Sequence, residues 1–195
     1  MTQLTFTTAL GDIVVAADRS RAPDTVEYVS RLVGDGHFRT SAFYRSTRLG
    51  NARRRPLIQG GPLEPLFTGA DRPVPSIDLL DRVESSEVTG IEHRRGTVSL
   101  ARDLIATGNV LPELFICLDD YPELDAGGRT EPDEQGFPAF GHVIDGLEVV
   151  EQIARGATDG PTPFERLSGE ILARPVPIIA TSIASNPSVR DQEAT

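Results

Sequence analysis

The 195-residue chain contains one cysteine, one methionine and no tryptophan. A lone thiol, Cys117, cannot close an internal disulfide, and such cysteine usage fits a reducing compartment, so a cytoplasmic protein is expected. Basic residues are in deficit: 19 Lys+Arg face 29 Asp+Glu, a formal net charge of −10. Sequence-independent binding to nucleic acid needs a basic footprint, and this chain has none overall. No apolar run approaches the roughly 18 residues of a membrane span. The opening MTQLTFTTALGDIVV puts no basic region before an apolar stretch and does not read as a signal peptide.

The usual chemical motifs are missing too. His37, His93 and His142 are scattered, without metal-ligand spacing to one another or to Cys117. There is no GxSxG elbow, and no serine has a histidine partner in sequence context. Gly60-Gly61 is too short for a phosphate loop and runs into Pro62. Residues 131–136 (EPDEQG) lack the alternating ligands of a calcium loop and read as an acidic turn. Cys117, inside the apolar FICL, reads as a packing residue. The residues nominate no nucleophile, general base, metal or cofactor.

The patterning, by contrast, is informative. The length suits one domain burying roughly 70% of its unfolded surface. Residues 4–8 and 12–16 are β-rich runs joined at Leu10-Gly11, which predicts a hairpin. Pro23 suits a first helical turn, Asp24 adds a favourable charge there, and Val26, Val29, Leu32 and Val33 recur at helical spacing. Residues 23–34 are therefore predicted as an amphipathic helix, with Gly34 as its stop, and 147–154 as a second helix. Short apolar pieces at 41–45, 57–61, 97–101, 114–118 and 139–144 are predicted strands, a spacing that favours a barrel or sandwich. Residues 173–184 contain Pro175 and Pro177 and suit an edge or closing strand. The domain is expected to span 1–185, with a polar, disordered tail at 186–195. Arg45, Arg48, Arg53, Arg54 and Arg55 cluster in this acidic chain, either as a solvated loop or as a positive lip beside a binding site.

An ordered set of fragments resembles the cyclophilins. GDIVV with Ala22-Pro23-Asp24-Thr25-Val26 resembles the family's opening, and Phe43-Tyr44-Arg45 resembles its Phe-His-Arg. Ile58-Gln59-Gly60-Gly61 resembles its IQGG, and Arg95-Gly96-Thr97-Val98-Ser99-Leu100-Ala101 its RGT-SMA strand. Phe115-Ile116-Cys117-Leu118, Leu124-Asp125 and the run from Phe140 to Val150 follow in the family's order, with an insertion before Phe140 that resembles a bacterial branch.

The resemblance implies an all-β fold, a closed eight-stranded antiparallel barrel capped by two α-helices. It implies peptidyl-prolyl cis–trans isomerase activity on proline-containing peptides and unfolded protein clients, without a cofactor or metal. No nucleic-acid or membrane partner is expected, and the chain is expected to be a monomer. Arg45 matches the essential arginine. The substrate-binding set carried over is Phe43, Leu57, Gln59, Ala101, Arg102, Glu113, Phe115 and Leu124. If Glu113 faces the groove, it is expected to pair with Arg45. Departures lie at the rim: Pro56 replaces a pocket phenylalanine, Glu123 the wall tryptophan, Phe137 the pocket histidine and Glu113 a neutral glutamine. An alternative reading is therefore a peptide-binding or scaffold module with weakened catalysis.

Overall fold

The computed structural model describes residues 1–49, 55–103, 107–128 and 134–185. Arg53, Arg54, the first part of the expected acidic turn and the expected tail at 186–195 lie outside the described residues. In chain order come strands β1 (Thr2–Thr8) and β2 (Gly11–Ala17), helix α1 (Pro23–Gly34), strands β3 (Ala42–Thr47) and β4 (Leu57–Gly61), and the short helices α2 (Glu64–Thr68) and α3 (Ser86–Thr89). Strands β5 (Thr97–Arg102), β6 (Val110–Cys117) and β7 (Ala139–Asp145), helix α4 (Leu147–Ala154) and strand β8 (Ile171–Ser185) complete the fold. The strands close a barrel in the order β1-β2-β7-β5-β6-β4-β3-β8, antiparallel at each pairing.

Period-two alternation decides which side chains fill the barrel. Leu4 and Phe6 of β1 and Ile13 and Val15 of β2 are buried, while the residues between them are half-buried on the outer face. Phe43, Ile58, Leu100 and Phe140 join them in one continuous core, each side chain contributing about 1.5–3 kcal/mol by leaving water. Closure leaves no sheet edge. The fifteen-residue β8 performs it, pairing with β3 between Ile171 and Pro177 and with β1 beyond that.

Helix α1 buries Val26, Val29, Leu32 and Val33, the residues whose spacing predicts it, and packs against β8. Its N-terminus has no local side-chain cap. The Glu84 carboxylate instead accepts from the Thr25 amide at 2.7 Å, the Thr25 hydroxyl at 2.7 Å and the Asp24 amide at 3.2 Å. Helix α4 packs against β2, β3 and β4. The two short helices α2 and α3 add to the two predicted ones, and α2 borders the site described next.

Candidate functional site

Arg45 owes its position to an irregularity in β3. The register slips between Phe43 and Arg45 against both β4 and β8, as at a β-bulge. Phe43 consequently stays in the barrel core, while the consecutive Tyr44 and Arg45 both leave it. Tyr44 packs with Leu167, Ile171, Phe67 and Phe164, and Arg45 lines a groove on the barrel's outer face.

Two acceptors hold the Arg45 guanidinium. Its Nη1 donates to Gln59 Oε1 at 2.8 Å, and its Nε and Nη2 donate to Glu170 Oε2 at 2.8 and 2.5 Å. Glu170 stands at the entry to β8, and its carbonyl accepts the Ser46 amide at 2.9 Å, one residue from Arg45. Of the five N–H bonds of a guanidinium, these contacts engage three, and the side chain lines the groove.

Behind Gln59 runs a buried chain of hydrogen bonds. Gln59 Nε2 donates to the Tyr44 hydroxyl oxygen at 2.8 Å, and that hydroxyl donates to Glu113 Oε2 at 2.7 Å. The Leu63 amide donates to Glu113 Oε1 at 2.6 Å. Burial pushes the Glu113 carboxyl up to about 8, against the hydrogen bonds from Tyr44, Leu63 and Gln59, and the Glu64 charge adds to the rise. Burial likewise raises the Tyr44 phenol, reinforced by the neighbouring Glu113. The two glycines of the Ile58-Gln59-Gly60-Gly61 run make room for this packing. A Cβ on Gly60 would stand 2.6 Å from the Ala42 carbonyl oxygen, and one on Gly61 would stand 2.6 Å from Glu113 Oε1.

The groove is a cavity of about 500 Å³ with Arg45 and Gln59 between two apolar walls. One wall is Leu57, Phe115, Leu124 and Phe137, with Ala101 beside them. Phe115 meets Phe137 edge-on at 5.6 Å and is backed by the His93 ring, stacked at 5.6 Å. His93 is itself fixed from both sides, Nδ1 lying 2.7 Å from Asp125 Oδ1 and Nε2 lying 3.0 Å from Ser99 Oγ. The other wall is Phe67 and Phe164, 5.9 Å apart, with Phe67 stacked on Tyr44. Arg102 reaches the groove's edge, but its guanidinium ties loops together by donating to the carbonyls of Gly108 at 2.9 Å and Gly136 at 2.7 Å.

The structure thus gathers Arg45, Leu57, Gln59, Ala101, Arg102, Phe115 and Leu124 around one groove. Two expected substrate contacts are corrected. Phe43 is wholly buried in the barrel core, because the bulge begins after it. Glu113 is also wholly buried and bonds Tyr44 and Leu63. It neither faces the groove nor pairs with Arg45, since Gln59 and Tyr44 stand between them. The carboxylate on Arg45 is Glu170, which comes from a distant segment and carries no local sequence signal. Tyr44, Phe67 and Phe164 likewise carry no sequence signal for the site. Of the arginine cluster, Arg55 pairs with Glu151 outside the groove, a carboxylate it shares with Arg95 of the loop before β5. A larger, polar cavity of about 960 Å³ lies there, lined by Arg48, Arg55, Glu151 and Arg155. Its charged lining does not offer an apolar side chain the desolvation that the groove walls offer.

Comparison with known proteins identifies the family. Residues 3–179 match the family model described as cyclophilin type peptidyl-prolyl cis-trans isomerase/CLD. The chain is 28% identical over 155 residues to peptidyl-prolyl cis-trans isomerase B of Escherichia coli, covering 80% of this chain and 85% of that protein. It is 26% identical over 166 residues to peptidyl-prolyl cis-trans isomerase A of Dickeya dadantii, covering 85% and 78%. A cyclophilin type peptidyl-prolyl cis-trans isomerase of Cryptosporidium parvum superposes with a TM-score of 0.70 at 20% identity, covering 95% of this chain and 99% of that one. The same protein, solved in the presence of the dipeptide Ala-Pro, superposes with a TM-score of 0.69. The chain belongs to the cyclophilin-type peptidyl-prolyl cis–trans isomerase family.

Proposed function

We propose that this chain catalyses cis–trans isomerisation of Xaa-Pro bonds in peptides and unfolded proteins, with Arg45 as the donor to the twisted amide. The observation that carries the reading is the Arg45 guanidinium, fixed by Gln59 and Glu170 beside the apolar wall of Leu57, Phe115, Leu124 and Phe137. Proline's ring is small and apolar and fits that wall, and the bond before it then lies against the guanidinium.

Rotation about the prolyl C–N bond breaks no σ bond. Its barrier of about 18–20 kcal/mol is lost resonance. As the bond twists, the nitrogen pyramidalises and recovers a lone pair that the planar ground state does not present. An N–H of Arg45 donates to that lone pair only in the twisted state, so the interaction lowers the barrier without tightening the ground state. A preorganised donor that acts only in the transition state is commonly worth about 2.7–4 kcal/mol, or roughly 10²–10³-fold in rate. Pre-orientation by Gln59 and Glu170 avoids ordering a mobile arginine at the moment of rotation. The second wall, Phe67 and Phe164, is proposed to take an apolar side chain flanking the prolyl bond. We also assign the protein to the cytoplasm, as a monomer, on the strength of its single buried cysteine and an acidic composition. Among the described residues no helix is long and apolar enough to cross a membrane.

Exchange NMR on an Xaa-Pro peptide tests the reading, with catalytic amounts of protein added to a large excess of peptide. Accelerated cis–trans exchange supports it. Peptide chemical shifts that move on binding while exchange stays at its spontaneous rate would establish a binding module instead.

A further inference from the structure

Resting on the reading of Arg45 as the donor, we propose that Tyr44 and Glu113 are positioning residues for Arg45, and that the proton on Glu113 decides how firmly Gln59 holds it. The four side chains form one uninterrupted path, Glu113 to Tyr44 to Gln59 to Arg45, with contacts of 2.7, 2.8 and 2.8 Å. Its inner end is closed by the Leu63 amide at 2.6 Å from Glu113 Oε1. Glu113 and Tyr44 are both fully buried and Gln59 nearly so, whereas Arg45 faces the groove.

Donor and acceptor bookkeeping gives the path a direction. An arginine cannot accept a hydrogen bond, so Gln59 must present its carbonyl to Arg45 and its amide nitrogen to Tyr44. Tyr44, receiving that N–H, must send its own proton onward. An ionised Glu113 is a pure acceptor and takes the Tyr44 hydroxyl, the Leu63 amide and the second N–H of Gln59. In that state every donor in the buried part of the path meets an acceptor, and only one orientation of the Gln59 amide fits.

A proton on Glu113 adds a donor and no acceptor. With Oε1 taken by the Leu63 amide, the acid proton sits on Oε2 and points at the Tyr44 oxygen. The Tyr44 hydroxyl then turns toward Gln59, and the Gln59 amide can rotate its carbonyl away from Arg45. One donor is surplus in any such arrangement. A surplus donor in the buried part costs more than one that can turn to water, so the bond surrendered is the one at the groove, from Arg45 to Gln59. Burial pushes the carboxyl up to about 8, which places this change in the neutral to mildly alkaline range.

The titratable groups whose fields meet Glu113 are Tyr44 on β3, Glu64 at the start of α2 and Tyr28 on α1. Tyr28 is pushed up to about 12 and Tyr44 is also raised, so neither tyrosine loses its proton in the same interval. Glu64 is paired with Arg72 and bonded by Thr68. Glu113→Gln is the discriminating variant, because its amide N–H₂ stands where the acid O–H would be. It imitates the protonated carboxyl permanently and introduces no cavity.

The experiment follows kcat/KM for an Xaa-Pro peptide from pH 6 to 9.5. In parallel it follows the nitrogen-15 side-chain signals of Arg45, identified by their loss in Arg45→Lys. For the wild type both are expected to change together across the Glu113 titration, with activity rising about three- to tenfold toward high pH, the size of one net hydrogen bond. Glu113→Gln is expected to hold the low-pH rate throughout and to show Arg45 signals insensitive to pH. Tyr44→Phe, which cuts the path, is expected to abolish the pH response as well. A Glu113→Gln protein that keeps the wild-type profile, or wild-type Arg45 signals that do not move, would overturn the proposal. Should the protein prove inactive, the Arg45 signals still report on the path, so failure of the isomerase reading and failure of this one are told apart.

Discussion

Truncating Glu170 separates positioning of the catalytic guanidinium from its charge. Both hydrogen bonds from Arg45 go to the same atom, Glu170 Oε2. Glu170→Gln can therefore offer one carbonyl oxygen in the same place, keeping the two contacts while removing the negative charge. Glu170→Ala removes both contacts and leaves Arg45 held only by Gln59. Two effects then compete. Loss of the carboxylate leaves the cation unneutralised and a stronger donor, but the acceptor in the twisted amide is a neutral lone pair at a wet groove, so that gain is small. Release of the side chain restores rotamer freedom worth up to about 2 kcal/mol, which must be removed again in each turnover. The second effect is larger, so Glu170→Ala is expected to lower kcat/KM about tenfold. Glu170→Gln is expected to fall by no more than about threefold, since the geometry survives. The side chains of the pair are 21% and 29% exposed, so water screens it and its contribution to folding lies near the 0–1 kcal/mol of surface pairs. In a chain of this length the melting temperature should drop by no more than about 4 °C. Coupled isomerisation assays on the three proteins, with the kcat and KM effects resolved, check the argument. Equal damage in Glu170→Gln and Glu170→Ala would show that charge, not position, matters. Faster turnover in Glu170→Ala would show that Glu170 restrains the enzyme.

Cys117 should be inert while the protein is folded: it is fully buried, and burial together with Asp125, Glu123 and Asp120 pushes its thiol up. Labelling by an aromatic disulfide reagent is expected to run roughly 10³-fold or more slower in buffer than in denaturant, and comparable rates would refute the buried placement. Glu113 should also mark the stability curve. Its carboxyl rises from 4.5 to about 8 on folding, so its contribution is fully present below the lower value and is lost as pH climbs to the upper one. Melting curves of wild type and Glu113→Gln are expected to diverge in the variant's favour by on the order of a few kcal/mol between pH 5 and 8, and to run parallel above. A gap that does not change with pH would contradict this.

Much of the fold is legible in the sequence because it rests on local periodicity. Helices α1 and α4 and strand β4 fall where helical spacing, Pro23 and the Leu57–Gly61 run predict them. Strand β6 begins at Val110, before the predicted Leu114, and passes through Pro112. The register against β5 slips there, with Leu100 opposite Leu114 but Arg102 opposite Val110, so the proline sits in a bulge where a missing N–H is tolerated. The cap of α1 was hidden because Glu84 lies about sixty residues away. The site shows the same division. Arg45, Gln59 and Phe115 were readable from short motifs. Glu170 reaches Arg45 across 125 residues, and nothing around it in the sequence marks it. Glu113 is not legible from its neighbours: a carboxylate suggests a groove group, whereas Gly61 gives it room beside the strand pair to be buried against Tyr44 and Leu63.

The most direct test of the account is the ratio of kcat/KM for wild type and Arg45→Ala on one Xaa-Pro peptide, measured with their melting temperatures. A loss of roughly 10²–10³-fold is predicted, with the fold retained, because the guanidinium is the donor aimed at the reacting nitrogen. An Arg45→Ala protein that melts like the wild type and turns over at the same rate would contradict the central claim.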